Sequence, residues 1–452
     1  RGRTAIVSSG EETVFCDAFT FKTQVFRFGA PLGRCSKAMF PRIVSNARFL
    51  FIAILVIVVH LLCYQVFLTV KLGRSSKHRA RVTPGRRHNK TWIPSESSPS
   101  VSGKGKLVSE CFPYGTDLPA SKESCVCLKG WTGEGCSVPQ AVWDSYGFQT
   151  WYRKGYIKRR SRPRTIINSL VFNHELDMLE IRVNELHDAV DYFLVCEANF
   201  TYFGDPKPLH LKSNLSAGFL SRHRHKIIRL EVSTNFVADE DPFAQENYLR
   251  SSIWKKGRHK FSKLSDDDLF MILDADEIPS REVMLFLKYH DGFGEPISLD
   301  LRWFLYGFFW ENQEPVNVGG ICTVGYLREV FHNDSLLVRD KRFRKMNATT
   351  GGTGTVWTPW TISGTPQAYA GWHCSWCFDA AGIQVKLISA QRDDGVRWGD
   401  FAAKRDVGYI NYLRRTGMYF DESKSVQKVD GYMAAPSYLG NDVKRWRYLL
   451  SV

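Results

Sequence analysis

The sequence predicts an α/β domain with a largely parallel sheet. Three observations favour it: short apolar runs alternate with helical patterns, residues 269–273 are continuously apolar, and this run ends abruptly in carboxylates. A short strand that is apolar on both faces is typical of a sheet covered by helices on both sides. Strands that alternate with helices predict the same architecture.

The elements can be placed in order along the chain. We expect strands near residues 164–172, 191–196, 226–232 and 269–273, an aromatic strand-like segment at 296–310, and helices at 176–190, 280–290 and 400–415. Gly417 is expected to close the last helix. Residues 166–452 would therefore form one large α/β domain.

A membrane anchor is expected before this domain. Residues 49–70 form an uncharged run that is long enough to span a bilayer. The run is too long, and begins too far along the chain, for a cleaved signal peptide. We therefore expect a cytoplasmic tail at 1–48, a signal anchor at 49–70, and a stem rich in Ser, Pro, Gly and basic residues at 71–110.

The orientation follows from the sequons and the cysteines. Every Asn-x-Ser/Thr sequon lies after the apolar run, at Asn89, Asn199, Asn214, Asn333 and Asn347. Eight of the 11 cysteines also lie there, an even number that suits disulfides in an oxidising compartment. A single-pass type II protein with a lumenal carboxyl-terminal part is predicted.

The net charge of +15 does not indicate a nucleic-acid binder. Residues 71–165 carry 19 Lys/Arg against 6 acidic residues, whereas residues 166–452 carry 34 against 37. The basic stretch lacks regularly interleaved aromatic residues. The excess charge belongs to the stem and to a basic linker at 137–165, which is typical of a solubilising or membrane-surface segment.

Residues 111–136 resemble half of an EGF-like module. The run from Cys125 to Cys136 has the order Cys-x-Cys, Gly-aromatic, Cys, and Cys111 precedes it. Only four of the usual six cysteines are present. We interpret the segment as a disulfide-stapled spacer without a binding function.

The carboxylates after the fourth strand carry the chemistry. Asp274 and Asp276 lie two residues apart in an extended chain, so their side chains point the same way. The carboxyl edge of a parallel sheet is where ligands bind, and two carboxylates can share Mn²⁺ or Mg²⁺ that holds a diphosphate. Two alternatives stay open: simple caps of the next helix, or a glycosidase pair, whose carboxyls flank the scissile bond about 5 to 9 Å apart.

Two further segments offer candidate site residues. After the second strand, Lys207 is available for phosphate, and Glu197 or Thr201 for the base or ribose; an ordinary polar loop is the alternative. In residues 370–377, His373 stands beside a Cys-x-x-Cys motif. This motif is open to three interpretations, a redox pair, half a zinc site, or a disulfide-rigidified loop that carries His373 to the metal, and we favour the loop.

Several blocks, taken in order, resemble one known family. The quoted blocks are Asn173-His-Glu-Leu-Asp-Met-Leu, Cys196-Glu-Ala-Asn-Phe-Thr, Asp274-Ala-Asp-Glu-Ile-Pro, Leu305-Tyr-Gly-Phe-Phe-Trp, Gly371-Trp-His-Cys-Ser-Trp-Cys-Phe, Lys386-Leu-Ile-Ser-Ala-Gln and Arg397-Trp-Gly-Asp. They are similar to the β-1,4-mannosyl-glycoprotein 4-β-N-acetylglucosaminyltransferases, the family that adds the bisecting N-acetylglucosamine. The likeness covers roughly residues 111–450.

The resemblance implies a GT-A-like fold, a Golgi membrane protein, UDP-N-acetylglucosamine as the donor and Mn²⁺ as the metal, held by Asp274 and Asp276. The implied acceptor is the core β-mannose of an N-glycan on a glycoprotein. An α-linked donor and a β-linked product require inversion, and therefore a base that takes the hydroxyl proton. Asp400 is our first candidate for this base, and Glu295 is the second.

Two other functions compete with this one. A related transferase with another glycan acceptor would share the same blocks. A lumenal binding protein is the other, suggested by the EGF-like half and by Trp303, Trp310 and Trp372 as surface aromatic residues.

Overall fold

The computed structural model describes residues 110–233, 243–340, 349–350, 356–365, 368–390 and 396–452. The expected tail, anchor and all of the stem except Glu110 lie outside these residues, as do the sequons at Asn89 and Asn347. Within the described residues, no helix is long and apolar enough to cross a membrane.

The segment before the main sheet is packed against the rest of the domain. It contains two disulfides, Cys111–Cys125 and Cys127–Cys136, as expected for a stapled segment. Two short helices follow, α1 (Gln140–Trp143) and α2 (Phe148–Arg153). Two short antiparallel pairs join Trp131–Thr132 to Val138–Pro139 and Lys158–Arg159 to His290–Asp291.

The first half of the domain alternates strands and helices as predicted. Its elements are β1 (Ile166–Phe172), α3 (Leu176–Leu186), β2 (Tyr192–Ala198), α4 (His210–Ser216), β3 (Ile227–Val232), α5 (Ala244–Gly257) and β4 (Leu269–Ile272). The four strands are parallel and lie in the order β3-β2-β1-β4. Every residue of β1 and β4 is buried, because helices cover both faces of this sheet.

The second half of the sheet is mixed, which corrects the expectation of a largely parallel sheet. Its elements are β5 (Glu277–Pro279), α6 (Arg281–Tyr289), β6 (Ile297–Leu305), β7 (Trp310–Glu311), β8 (Val316–Thr323), α7 (Val324–Glu329), β9 (Trp360–Ile362), β10 (Gly371–Ser375), α8 (Ala380–Ser389), α9 (Val407–Thr416), β11 (Gln427–Lys428), α10 (Gly431–Ala434) and α11 (Arg447–Leu450). Strand β8 lies antiparallel between β4 and β6. Strands β9 and β10 pair in parallel with successive parts of β6, and β5 pairs antiparallel with β10.

Two predicted elements differ most from their expected bounds. The aromatic strand ends at Leu305, because Tyr306 adopts a left-handed φ of 61°, and the chain pairs again only at Trp310. The last long helix begins at Val407 rather than at residue 400, since the Asp406 side chain accepts the Tyr409 N–H as its cap. Two 3₁₀ turns, Trp398–Asp400 and Ala402–Arg405, precede it, and Gly417 closes it with φ 67° as expected.

Candidate active site

Asp274 lies just beyond β4, at the carboxyl edge of the parallel strands. Its carboxylate accepts bonds from Arg250 at 2.7 and 2.9 Å and from Arg339 at 2.8 Å. Arg250 comes from α5, and Arg339 from the 3₁₀ turn Leu337–Arg339. Two guanidinium groups therefore meet one carboxylate at the edge where the sequence predicts a diphosphate.

Asp276 has a separate cationic partner. Its Oδ2 lies 2.9 Å from Nζ of Lys386, which α8 supplies. Its backbone carbonyl accepts the N–H of Cys374 at 2.8 Å, which ties the acidic turn, residues 274–277, to β10. The two aspartates are thus fixed by different parts of the second half of the chain.

The acidic turn is held from behind by two buried residues. Glu277, which is 2% exposed, accepts the Asp274 N–H at 2.8 Å and binds Arg339 through both carboxylate oxygens at 2.6 and 3.1 Å. The fully buried Arg182 donates to the carbonyls of Asp274 and Glu277. Burial lowers the pKa of Arg182 to about 10, although the three nearby carboxylates oppose that shift.

The cations keep both aspartates ionised. Burial alone would raise the pKa of Asp274, but Arg250 and Arg339 outweigh it and lower this pKa. The same balance lowers the pKa of Asp276, where Lys386 is the main opposing charge. Near them, burial raises the pKa of Glu246 against the attraction of Arg250, which it contacts at 2.7 Å.

His373 lies on a strand rather than on a loop, which corrects our expectation. It is part of β10, opposite Glu277 in β5, and its Nδ1 is 3.8 Å from Glu277 Oε1. Nδ1 is buried and makes no hydrogen bond to the described residues. The expected disulfide Cys374–Cys377 closes the turn that follows.

The described residues contain no group of three His, Cys, Asp or Glu side chains arranged to hold a metal ion. Asp274, Asp276 and His373 are therefore not assembled into a three-residue ligand set; each carboxylate faces its own cation, and His373 faces Glu277. Two carboxylates from one strand end nevertheless fit a hard divalent cation in chemistry, because such ions often take only one or two protein carboxylates and fill the remaining positions with phosphate oxygens and water.

The three candidates after β2 are placed differently from one another. Glu197 is fully buried and caps α4, since it accepts the N–H groups of Leu211 at 2.6 Å and Lys212 at 3.1 Å; it also pairs with Arg229 at 3.2 Å. Thr201 Oγ1 accepts two N–H groups of its own loop.

The side chain of Lys207 reaches the carboxyl end of β1. Its Nζ donates to the carbonyl of Asn173, the residue after β1, at 3.2 Å. Burial lowers its pKa. Because β1 is the neighbour of β4, this amine lies at the same edge as Asp274.

The two candidate bases are also separated. Glu295 is bound by Thr323, through its N–H at 2.7 Å and its hydroxyl at 3.1 Å, and Thr323 pairs with Leu269 at the start of β4. It therefore lies at the edge opposite Asp274. Asp400 is exposed, ends the turn Trp398–Asp400, and pairs with Arg397 at 3.3 Å.

An aromatic cleft adjoins the acidic turn. It has a volume of about 510 Å³, and its lining includes Trp303, Trp376, Trp398, Tyr419, Asp421 and Lys424. Of the three tryptophans expected at a surface, Trp303 lines this cleft. The other two do not: Trp310 is buried, and Trp372, whose indole N–H donates to the carbonyl of Ala434 at 2.7 Å, lines a different pocket.

Three cations of the site were not predicted from the sequence. Arg250 and Arg339 stand in no motif, and they are 24 and 65 residues from Asp274 along the chain. Lys386 opens one of the blocks that carry the resemblance, and that position could have singled it out.

Comparison with known proteins gives consistent matches. Residues 146–317 match the family model described as glycosyltransferase family 17. A human protein named beta-1,4-mannosyl-glycoprotein 4-beta-N-acetylglucosaminyltransferase is 40% identical over 334 residues, which are 72% of this chain and 62% of the relative.

Rodent proteins of the same name are equally similar. The rat protein is 39% identical over 334 residues, 72% of this chain and 61% of its own length. The mouse protein is 37% identical over 380 residues, 81% of this chain and 70% of its own length. The chain thus spans about three fifths of the rat and human relatives.

Proposed function

This chain belongs to glycosyltransferase family 17, and from that membership we propose that it transfers N-acetylglucosamine from UDP-N-acetylglucosamine to the core β-mannose of N-glycans, in β1,4 linkage. The observation that carries the proposal is the edge of β4, where Asp274 and Asp276 meet three cationic side chains. The names of the relatives supply the acceptor and the transferred sugar. The mixed α/β architecture suits a GT-A-like transferase.

The donor diphosphate would lie along this edge. Asp274 and Asp276 would hold Mn²⁺, with His373 nearby, and the bound ion would stabilise the charge of the departing UDP. Arg250, Arg339 and Lys386 would contact the diphosphate. Lys207, at the end of β1, would add a fourth positive charge.

The chain must also supply a base for the acceptor hydroxyl, because inversion in one displacement removes its proton. We retain Asp400 for this role, since the turn that ends at Asp400 brings Trp398 to the aromatic cleft. Asp421, which lines the cleft itself, is the second candidate. Glu295 is not carried forward, because it lies at the opposite edge of the sheet.

We further propose a single-pass type II Golgi membrane protein, anchored by residues 49–70 with its catalytic part in the lumen. Three disulfides in the described residues suit an oxidising compartment. The acceptor glycoproteins of the proposed reaction pass through that compartment.

The test uses the full chain with UDP-N-acetylglucosamine, Mn²⁺ and a biantennary N-glycan that ends in N-acetylglucosamine, followed by linkage analysis of the product. Asp276→Ala should abolish the β1,4 product. Asp266→Ala is the matched control, because Asp266 precedes the same strand at its other end and is largely exposed, so it should leave the rate unchanged. UDP release without the β1,4 product would retain the transferase and discard the acceptor.

Loss of product in both variants would contradict the assignment of Asp276 to the donor site. A folded wild-type chain that neither binds UDP nor releases it would refute the proposed function, and would favour the lumenal binding protein.

A further inference from the structure

The aromatic cleft is built from four separate segments: β6, the turn after β10, and the turns on either side of α9. Trp303 lies on β6, Trp376 follows β10, and Trp398 and Tyr419 come from the turns on either side of α9. Trp303, Trp398 and Tyr419 are half-buried, and they pack on a buried cluster that includes Trp376 and Phe420. The cleft therefore exposes ring faces that a rigid core holds in place.

The rings are fixed by specific contacts. The indole N–H of Trp303 donates to Oγ of Ser375 at 3.0 Å, and its ring meets that of Tyr419 edge to face at 6.0 Å. The rings of Trp376 and Phe420 are 4.4 Å apart. Such rings lose little freedom when a ligand binds, which favours affinity.

Two contacts connect the cleft to the acidic turn. Nζ of Lys386 bonds Asp276 at 2.9 Å and lies 5.5 Å from the centre of the Trp376 ring. The ring of His373, on β10, is 6.3 Å from the ring of Trp303, on the neighbouring strand β6. A ligand in the cleft would therefore lie beside the donor edge, which is the end of β4 where Asp274 and Asp276 lie. Lys386 and His373 would separate the two.

The chemistry of the cleft suits a neutral sugar. Each pyranose ring has an apolar face of C–H groups that packs on an aromatic ring, while its hydroxyl groups need polar partners. The rings of the cleft offer a surface for the C–H face. Asp421, Ser423 and Lys424 at the rim offer polar partners for the hydroxyl groups. A volume of about 510 Å³ is within the usual range for ligand pockets.

The nucleotide is a poorer occupant. The diphosphate needs cations, and Arg250, Arg339 and Lys207 lie at the edge of β1 and β4 rather than in the cleft. The lining of the cleft itself contains one lysine and one aspartate. The edge of β1 and β4 is therefore rich in cations, whereas the adjoining aromatic cleft is nearly neutral.

We propose that the aromatic cleft is the acceptor subsite, in which a neutral oligosaccharide lies with a sugar face against Trp303 and Trp398. The inference rests on the proposed function, because it assigns the acceptor of the same reaction. It names Trp398 and Trp303 as acceptor-binding residues, and Lys386 as the boundary between the two substrates.

The test compares Trp398→Ala with Tyr146→Ala in the full chain. Tyr146 is 93% exposed and lies outside the cleft, so its variant controls for the loss of a surface aromatic ring. Trp398→Ala should raise the KM for the acceptor glycan about tenfold, with the KM for UDP-N-acetylglucosamine and the affinity for UDP in Mn²⁺ unchanged. Lys424→Ala, at the exposed rim, should raise the acceptor KM about threefold without a risk to folding.

Binding of the free oligosaccharide is measured in parallel by the change in tryptophan fluorescence, without any donor. If the wild-type chain transfers nothing but binds the glycan, and Trp398→Ala does not bind it, the proposed function fails and the cleft assignment stands. Weaker UDP binding in Trp398→Ala would make the cleft part of the donor site and overturn the inference. An unchanged acceptor KM, or no glycan binding by a wild-type chain that is also inactive, would overturn it as well.

Discussion

Lys386 donates a hydrogen bond of 2.9 Å to Oδ2 of Asp276, and both side chains are less than a fifth exposed. The pair joins α8 to the turn after β4, across 110 residues of sequence. In the absence of a bound cation, the lysine neutralises a carboxylate that we assign to a divalent ion. The ammonium group of Lys386 and the metal ion would therefore compensate the same negative charge, that of Asp276.

Lys386→Met should destabilise the metal-free protein by about 2 kcal/mol, because it leaves Asp276 without its cationic partner. Addition of Mn²⁺ should then raise the Tm of this variant more than that of the wild type, since the ion replaces the lost charge. Lys288→Met is the control, because Lys288 is a buried partner of Asp191 away from this turn. An equal Mn²⁺ shift in both variants, measured by thermal unfolding, would contradict the metal role of Asp276.

Because of His290, the free energy of unfolding should fall as the pH drops from about 6.5 to about 4. Burial is the main cause that lowers its folded pKa to about 4, from 6.5 in the unfolded chain. The unfolded state therefore binds more protons in this window, and the full stabilisation is present only above pH 6.5. The loss should approach about 3 kcal/mol at pH 4.

The measurement is urea unfolding of His290→Gln across this pH range, in which the slope should be smaller than in the wild type. His225→Gln replaces an exposed histidine and serves as the control. A slope unchanged by His290→Gln would show that His290 does not carry the pH dependence.

Glu197→Ala should cost about 3 kcal/mol of unfolding free energy, because it removes the cap of α4 and leaves Arg229, whose side chain is 18% exposed, without its buried partner. The affinity for UDP should not change in the folded protein. Glu231 also binds Arg229, at 2.6 Å, but it is more exposed, so Glu231→Ala should cost less than about 1 kcal/mol. A large loss of UDP affinity in Glu197→Ala, measured by calorimetry, would restore Glu197 to the nucleotide site.

Phe112→Ala should destabilise the whole catalytic domain by about 3 kcal/mol. Phe112 is fully buried, and its ring contacts those of Trp131 at 5.5 Å and Tyr289, at the end of α6, at 5.4 Å. The EGF-like half thus packs into the domain instead of forming a detached spacer. Leu118→Ala, at a 41% exposed position of the same segment, should have little effect. If both variants melt at the wild-type temperature, the segment is energetically separate.

The sequence by itself determined the four strands and the first helix of the first half, and the position of Asp274 and Asp276 at a strand end. Local patterns suffice for this, because a run such as Leu269–Leu273 can be buried on both faces only within a covered sheet. The disulfide Cys374–Cys377 confirms one of the three interpretations that the Cys-x-x-Cys motif left open. The mixed second half of the sheet did not follow, because short strands such as β9 and β10 are defined by their partner β6 and not by their own periodicity.

Only the tertiary structure decided which charges meet at the site. Arg250, Arg339 and Lys386 come from three distant elements, and no local pattern specifies a contact between side chains so far apart in sequence. The direction of Glu197 was undetermined for the same reason, since a carboxylate at a strand end can face either a ligand or the next helix. The packing of α4 and Arg229 around Glu197 places it in the helix cap, and the packing of β6, β10 and α9 creates the aromatic cleft.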